Sequence, residues 1–361
     1  MSAILRGHAS TVRFLFGGSV VVVLLGVLAG TIALGGFPVG ASLQSLVRGS
    51  IGSPDALLSA TFVRASPLLL TGLAVALSFR SGVFNIGAEG QLVVGAAAAT
   101  FVAIRAEQWL DVWTVPVELA AAAAAGIAWA IVPAWLRRRF RVPEVITTIM
   151  MNFLATFLVS YLVRGPLQEP TRVYPQSSTF AELARIPTVH PMVRLHWGFV
   201  LAILLALFLG WALRHTASGF RIIAVGVNPR AAEETGRIDV DRLTWLVFLG
   251  SGALAGLAGG IEVGGVTYAL YDNVSPGYGY TAIAVALLAG LQPVMVVPSA
   301  ILFGGLSAGA AAMQRDVAVP AGFVEFVQAL IILALLAAPH IVAFMQQRLA
   351  RLQAVEQQGA R

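Results

Sequence analysis

Apolar runs, most of them about as long as a lipid hydrocarbon core is thick, follow one another along almost the whole chain. A core of roughly 30 Å needs about 20 helical residues, because each residue rises about 1.5 Å. Ten runs meet or approach that length, near 14–36, 56–79, 84–104, 115–136, 143–163, 197–213, 243–266, 279–291, 294–312 and 321–345. The eighth and ninth are short and share the breaker Gln292-Pro293, so they read as half-spans or a tilted hairpin. With 58% hydrophobic and 11% charged residues, the chain lies outside the balance of ordinary soluble domains. The fold expected is an all-α polytopic membrane protein of about ten transmembrane helices, forming a single transmembrane domain over 1–361. The run from Phe14 to Gly36 follows Arg6 and Arg13 as a secretory signal would. It is as long as a full crossing and lacks a clear A-x-A site, so it reads as a retained first span.

All 23 basic residues are arginine, and they stand mostly in short segments between apolar runs, where they act as orientation signals. That placement argues against nucleic acid as a partner, since no phosphate-binding face forms. With the N-terminus cytoplasmic, fifteen arginines fall inside, among them Arg6, Arg13, Arg80, Arg137–Arg139, Arg141, Arg214 and Arg242, seven fall outside, and Arg64 is left inside the second span. Four of those seven lie in one long loop, 164–196, whose length weakens their vote. The expected topology is therefore N-in and C-in, with loop 164–196 external and segment 214–242 cytoplasmic. The absence of cysteine removes disulfides and thiolate sites, and five scattered histidines give no HExxH-type pair, so no metal is expected.

Val142-Pro143 opens an apolar run after Arg137–Arg141, and Val319-Pro320 opens another after Arg315-Asp316. Each is preceded by a Gly/Ala-rich span that begins at Val115-Pro116 or Val297-Pro298. Five spans separate the copies, an odd number, so spans 2–5 and 7–10 would form an inverted repeat. The alternative is that two Ala/Gly-rich spans merely look alike.

Polar residues inside these runs are the candidate functional positions. Asn85, Glu89 and Gln91 sit among Gly82, Gly87 and Gly90 at an entry into lipid, where a carboxylate costs several kcal/mol unless it faces protein or water. They read as an interrupted helix lining a cavity, or else as a structural carboxylate serving a neighbouring helix. Asn152, with Thr148 one turn before it, is interhelical glue or pathway lining, whereas Glu144 beside Pro143 reads as a helix-start acid. Gly252, Gly256, Gly260 and Gly264 form a stripe where another helix can approach closely. Glu262 and the tyrosines after it, Tyr278 and Tyr280 included, read as interfacial anchors or as stacking platforms for a solute ring. Gly305-Leu306-Ser307-Ala308-Gly309 fits G-x-S-x-G, but no strand precedes it and hydrolase chemistry is a remote reading. In the cytoplasmic segment, Asn228 is an N-cap, Pro229 a first helical residue, and Gly236 a stop after Arg230, Ala231, Ala232, Glu233 and Glu234. That short helix is a solvated turn or a docking element.

Four segments resemble, in family order, the nucleoside and simple-sugar branch of ABC importer permeases, related to ribose and branched-chain amino acid permeases. They are Phe84–Gln91, Glu144–Asn152, Gly226–Ala232, and Ser275–Tyr280 with Ile283–Leu288. The resemblance covers roughly residues 60–340. The resemblance implies a multi-pass protein of the bacterial cytoplasmic (inner) membrane that forms half of a translocation pathway for nucleosides or simple sugars. It further implies a second homologous permease, a separate ABC ATPase subunit that uses ATP and Mg, and an extracytoplasmic solute-binding protein. Asn228–Gly236 then resembles the coupling helix that docks on the ATPase, with Arg237 inserted where family members often run Gly-Ile directly. This chain should bind no cofactor itself: a Walker A loop needs a lysine, and the chain has none. A secondary, ion-coupled transporter is the competing class, disfavoured because the acids cluster near span ends rather than at midplane depth.

Overall fold

The computed structural model describes residues 26, 29–105, 107–236, 238–334 and 337. Most of the expected first span, 14–36, and the end of the expected tenth, 321–345, lie outside the described residues, as does Arg237. Among the described residues the backbone is helical, with isolated bridges but no strand of a sheet. The helices used below are α1 (Val39–Ser50), α2 (Phe62–Arg80), α3 (Ala88–Arg105), α4 (Thr114–Phe140), α5 (Glu144–Val163) and α6 (Trp197–His215). They continue with α7 (Ala217–Val227), α8 (Pro229–Gly236), α9 (Val240–Ile261), α10 (Tyr278–Leu288), α11 (Pro293–Val317) and α12 (Ala321–Ala334).

Six helical stretches are long and apolar enough to cross a membrane: Ala56–Arg80, Asp111–Phe140, Glu144–Val163, Trp197–His215, Val240–Thr267 and Pro293–Val317. They coincide with six of the expected runs. Two boundaries differ from the sequence reading. The third run does not start helically at 84, because the backbone from Gly82 to Gly87 is irregular and α3 begins only at Ala88. Of the two short runs, only the eighth is a short helix: α10 has 11 residues, whereas α11 has 25, because Pro293 stands at the first helical position and starts a helix instead of breaking one. Gly305–Gly309 lies within the helical run of α11, so G-x-S-x-G here makes no strand-to-helix elbow.

The described residues divide into two compact units, 53–305 and a second made of those before 53 together with those after 305. In the second, Ile32, Ala310, Met313, Val319, Val324 and Val327 form a buried apolar cluster, flanked by Phe37 and Phe323 with ring centroids 5.0 Å apart.

In the first unit, α9 packs against α2, α3 and α4, with α10 against α2 and α5 against α3. The glycine stripe explains the closeness of that packing. A Cβ on Gly256 would overlap the carbonyl of Ala122 and press on Gly126 Cα, and one on Gly95 would meet Gly256 itself. Three backbones therefore meet at one point, which small residues alone permit. On the outside the polarity is inverted relative to a soluble protein. Phe157 is 70% exposed and Phe208 61%, with Met150, Phe153, Leu204 and Trp211 beside them on α5 and α6. Such apolar faces suit lipid contact.

Loop 164–196 is sewn onto the chain that follows α9. Ser177 N donates to Leu270 O at 2.9 Å, Phe180 N to Tyr268 O at 2.8 Å and Ile186 N to Gly264 O at 2.8 Å, while Arg164 pairs with Asp272. Within the loop, Glu169 accepts from Gln176 Nε2 at 2.8 Å and Thr171 Oγ1 at 2.7 Å. Those donors hold its carboxyl below the usual carboxylate range.

Candidate functional site

α2 stops because Gly82 adopts a left-handed conformation (φ 77°), letting Val83 N return to Ser78 O at 3.1 Å. The irregular backbone that follows would cost several kcal/mol per unsatisfied group in lipid, so other parts of the chain must satisfy it. They do. Phe84 N donates to Glu144 Oε1 at 3.2 Å and Gly87 N to Asn85 Oδ1 at 2.9 Å. Asn152 serves both sides of the break, donating to Ile86 O at 3.0 Å and accepting from Gly90 N at 2.8 Å. Thr148 is buried against Gly87, and its hydroxyl bonds its own helix at Glu144 O, 2.7 Å away.

Behind the break, Asn85 and Gln91 are almost wholly buried and paired amide to amide, with Asn85 Nδ2 donating to Gln91 Oε1 at 3.0 Å. Asn85 Nδ2 also reaches Ser251 Oγ at 2.9 Å, and Ser251 in turn donates to Ala74 O at 2.8 Å. One chain of hydrogen bonds thus ties the break and α3 to the middles of α9 and α2.

Glu89, in the first turn of α3, is turned toward another helix. Its Oε2 accepts from Gly279 N at 2.6 Å, and the Ser275 hydroxyl and Gly277 amide also bond it. Gly279 lies against the Glu89 backbone so closely that a Cβ would overlap its amide nitrogen. A helix start leaves N–H groups without intrahelical partners and carries partial positive charge. The carboxyl of α3 therefore caps the start of α10, whose entry is a left-handed Gly277 (φ 89°) with Ser275 Oγ accepting from Tyr278 N at 3.0 Å. Two helix beginnings meet here.

The tyrosines belong to the same cluster rather than to a free loop end. Tyr278 is buried, and Tyr280, 46% exposed, takes a 3.3 Å hydrogen bond from Asn152 Nδ2 at its hydroxyl oxygen. Glu262 opens the π-helical turn Glu262–Thr267 that ends the α9 span, and it is buried with Arg64 of α2 as its facing cation. The structure thus gathers Asn85, Glu89, Gln91, Thr148, Asn152, Tyr278 and Tyr280 at one break, with Glu262 adjoining through Tyr278.

α8 lies apart from them. Asn228 Oδ1 accepts from Ala231 N at 3.1 Å, capping a helix that runs from Pro229 to Gly236. Ala232 is buried against Val225 and Ile238, while Arg230, Ala231, Glu233 and Glu234 are exposed.

Sequence reasoning passed over four buried groups. Ser251 and Ser275 look ordinary in Gly-rich stretches, and only their distant partners mark them. Glu118 and His196 are fully buried, and among the described residues none of their side-chain N or O atoms finds a hydrogen-bond partner. An acid ahead of an Ala run was a readable signal for Glu118; His196, at a span end, gave none.

Residues 57–337 match the family described as the permease component of branched-chain amino acid transport systems. The glucose ABC transporter permease protein TsgB13 of Haloferax volcanii is 38% identical over 289 residues, covering 77% of this chain and 76% of that protein. The guanosine ABC transporter permease protein NupP of Bacillus subtilis is 36% identical over 340 residues, 91% of this chain and 95% of its own length. A second guanosine permease protein of that bacterium, NupQ, is 30% identical over 254 residues, 69% of this chain and 79% of its own.

Proposed function

We propose, from the premise that this chain belongs to the family of branched-chain amino acid transport system permease components, that it forms half of the translocation pathway of an ABC importer for nucleosides. It is a multi-pass membrane permease, a transport component without an ATPase site of its own. The observation that carries the nucleoside reading is Glu89 at the start of α10. Broken helices commonly present such ends to an anionic solute group. Here the chain's own carboxyl fills the position, which suits a cargo without a carboxylate, such as a nucleoside or sugar, better than an amino acid. Similarity to the guanosine permease over 91% of the chain favours nucleosides, and similarity to the glucose permease supports simple sugars as a second reading. Uptake by the reconstituted complex should saturate with labelled guanosine and be blocked by excess unlabelled nucleoside but not by leucine. Competition by glucose alone would replace the first reading with the second, and competition by leucine would remove both.

The partners follow from the same premise: an ABC ATPase that uses ATP and Mg, an extracytoplasmic solute-binding protein, and a second homologous permease. Similarity to two different guanosine permeases of one bacterium supports the last. The membrane is the bacterial inner membrane, with about ten spans and both termini cytoplasmic. Arg80 donates to Leu291 O at 3.1 Å and Arg214 to Gln292 Oε1 at 3.3 Å, so α10 ends beside two arginines of the inner side and reads as a half-span. An inverted repeat is supported by matching backbone turns. α4 closes on a left-handed Arg141 (φ 53°) before Val142-Pro143, and α11 on a left-handed Ala318 (φ 55°) before Val319-Pro320.

α8 is the coupling element, presenting Arg230, Glu233 and Glu234 to the ATPase on a base fixed by Asn228, Pro229 and Ala232. Because the chain has no cysteine, Glu233→Cys gives a background-free probe. It should crosslink to cysteines placed on the ATPase, and Asn228→Gly with Pro229→Gly should leave ATP hydrolysis running while uptake falls, since the first change weakens the cap by about a few tenths of a kcal/mol and the second frees the fixed φ of the first helical residue. Normal transport by the glycine variant with no crosslink from any position in 228–236 would leave α8 a solvated turn.

A further inference from the structure

A cavity of about 250 Å³ opens where α4, α5 and α9 converge, lined by Arg137, Arg138, Arg141, Glu144, Asp241 and Trp245 among others. Three guanidinium groups face two carboxylates, and the pairing is uneven. Arg137 Nε lies 3.5 Å from Glu144 Oε2, and the other Glu144 oxygen accepts from Phe84 N at 3.2 Å, so that acid is engaged within the protein. Asp241 stands in the first turn of α9, where it complements the helix dipole. Among the described residues, Arg138 and Arg141 form no ion pair or hydrogen bond from their side chains, and both are exposed toward the cavity. The left-handed turn at Arg141, whose amide returns to Arg137 O at 2.9 Å, folds the arginine run back on itself and puts both ends of it on one cavity.

The surroundings specify the source of an anion. On the same end of α4, Trp135 is 49% exposed and Phe140 58%, edge to face with centroids 5.3 Å apart, and Arg139 lies over the Phe140 ring. Exposed aromatics interleaved with arginine at a span end mark the lipid–water interface. Basic pockets between transmembrane helices at that level bind anionic headgroups. The volume falls just below the roughly 300 Å³ at which pockets for whole small molecules begin, enough for a headgroup but small for a solute.

We propose that this cavity binds the phosphodiester headgroup of an anionic lipid, with Arg138 and Arg141 as the phosphate ligands and Trp245 as the apolar wall. Assignment to the inner leaflet rests on the topology proposed above; binding itself does not.

The test uses the assembled transporter extracted in nonionic detergent and examined by native mass spectrometry after adding phosphatidylglycerol and phosphatidylcholine in equal amounts. The wild-type complex should retain phosphatidylglycerol selectively. R138Q/R141Q should lower that retention by roughly 25-fold, from about a factor of five per arginine, while R172Q on the external loop changes nothing. Millimolar inorganic phosphate should not displace the lipid. Equal retention of the two lipids by the wild type overturns the proposal even where the double variant fails to assemble. Displacement by inorganic phosphate assigns the site to a free anion and overturns it too. So does a double variant that keeps its lipid but loses the ATPase, which would make this face a protein contact. Reporter fusions after Arg139 and Gln353 should read cytoplasmic and one near Ser178 external; the reverse pattern would overturn the topology while leaving headgroup selectivity as measured.

Discussion

Replacing Glu89 by Ala is expected to bring solute uptake to background. The carboxyl caps the start of α10 through Gly279 N at 2.6 Å and holds the Ser275 hydroxyl and the Gly277 amide as well. Truncation takes this acceptor from Gly279 N and the Ser275 hydroxyl, at about 1–3 kcal/mol each, while Gly277 N keeps Ser275 Oγ at 3.2 Å. It also frees two helix beginnings that the chain holds together at the break. Glu89→Gln separates geometry from chemistry. The amide keeps one oxygen for Gly279, so the complex should still assemble with its ATPase, but its NH₂ turns toward groups that are themselves donors. Uptake should fall at least about tenfold, the effect of roughly 1.4 kcal/mol, with pull-down of the ATPase unchanged. Normal uptake by the glutamine variant would reduce Glu89 to a helix cap with no part in the pathway.

Gly256→Leu should prevent the permease from accumulating as a folded protein. At Gly256 the backbones of α9, α3 and α4 meet, and even a Cβ would strike Ala122 O and crowd Gly126. These are backbone atoms, which cannot rotate aside as the end of a side chain can. Relief requires moving whole helices apart, with loss of the packing that holds transmembrane helices together. Overpacking alone typically costs about 1–3 kcal/mol, and a Leu at a triple contact should lie at or above that range. Fluorescence-detected size-exclusion of a tagged chain should show no monodisperse peak for Gly256→Leu and a diminished one for Gly256→Ala. Gly322→Ala, with nothing within 4 Å of the added carbon, should match the wild type. A normal Gly256→Leu profile would mean that the helices do not approach as closely as described.

Much of the candidate site was legible because its residues are out of place chemically. Asn85, Glu89, Gln91 and Asn152 stand in apolar runs, and their desolvation alone says that they turn inward. What they turn toward was not legible. Ser251 is 166 residues from Asn85 and Gly279 is 190 from Glu89, and no periodicity along one helix encodes a partner on another. Tyr278 and Tyr280 were open to reading as interfacial anchors since Tyr is common at membrane interfaces, and only the fold of α10 against α3 brings them to the break. α8 was the opposite case: its cap, its first proline and its stop are all local, so its bounds could be read directly.

By itself the sequence determined that this chain is helical and built for lipid, that it lacks the lysine of a Walker A loop, and where its broken helix and capped short helix fall. Each of these rests on a property of single residues or of near neighbours: transfer from water to hydrocarbon, backbone conformational preference, or a side chain reaching its own turn. The tertiary structure decided that α11 is long enough to cross a membrane while α10 is short. It also decided that Glu89 caps a helix far along the chain, and that three arginines of one turn open on a shared cavity. Such contacts depend on how helices pack once both are in lipid, where apolar surface no longer drives association and close approach and long-range hydrogen bonds select the partner.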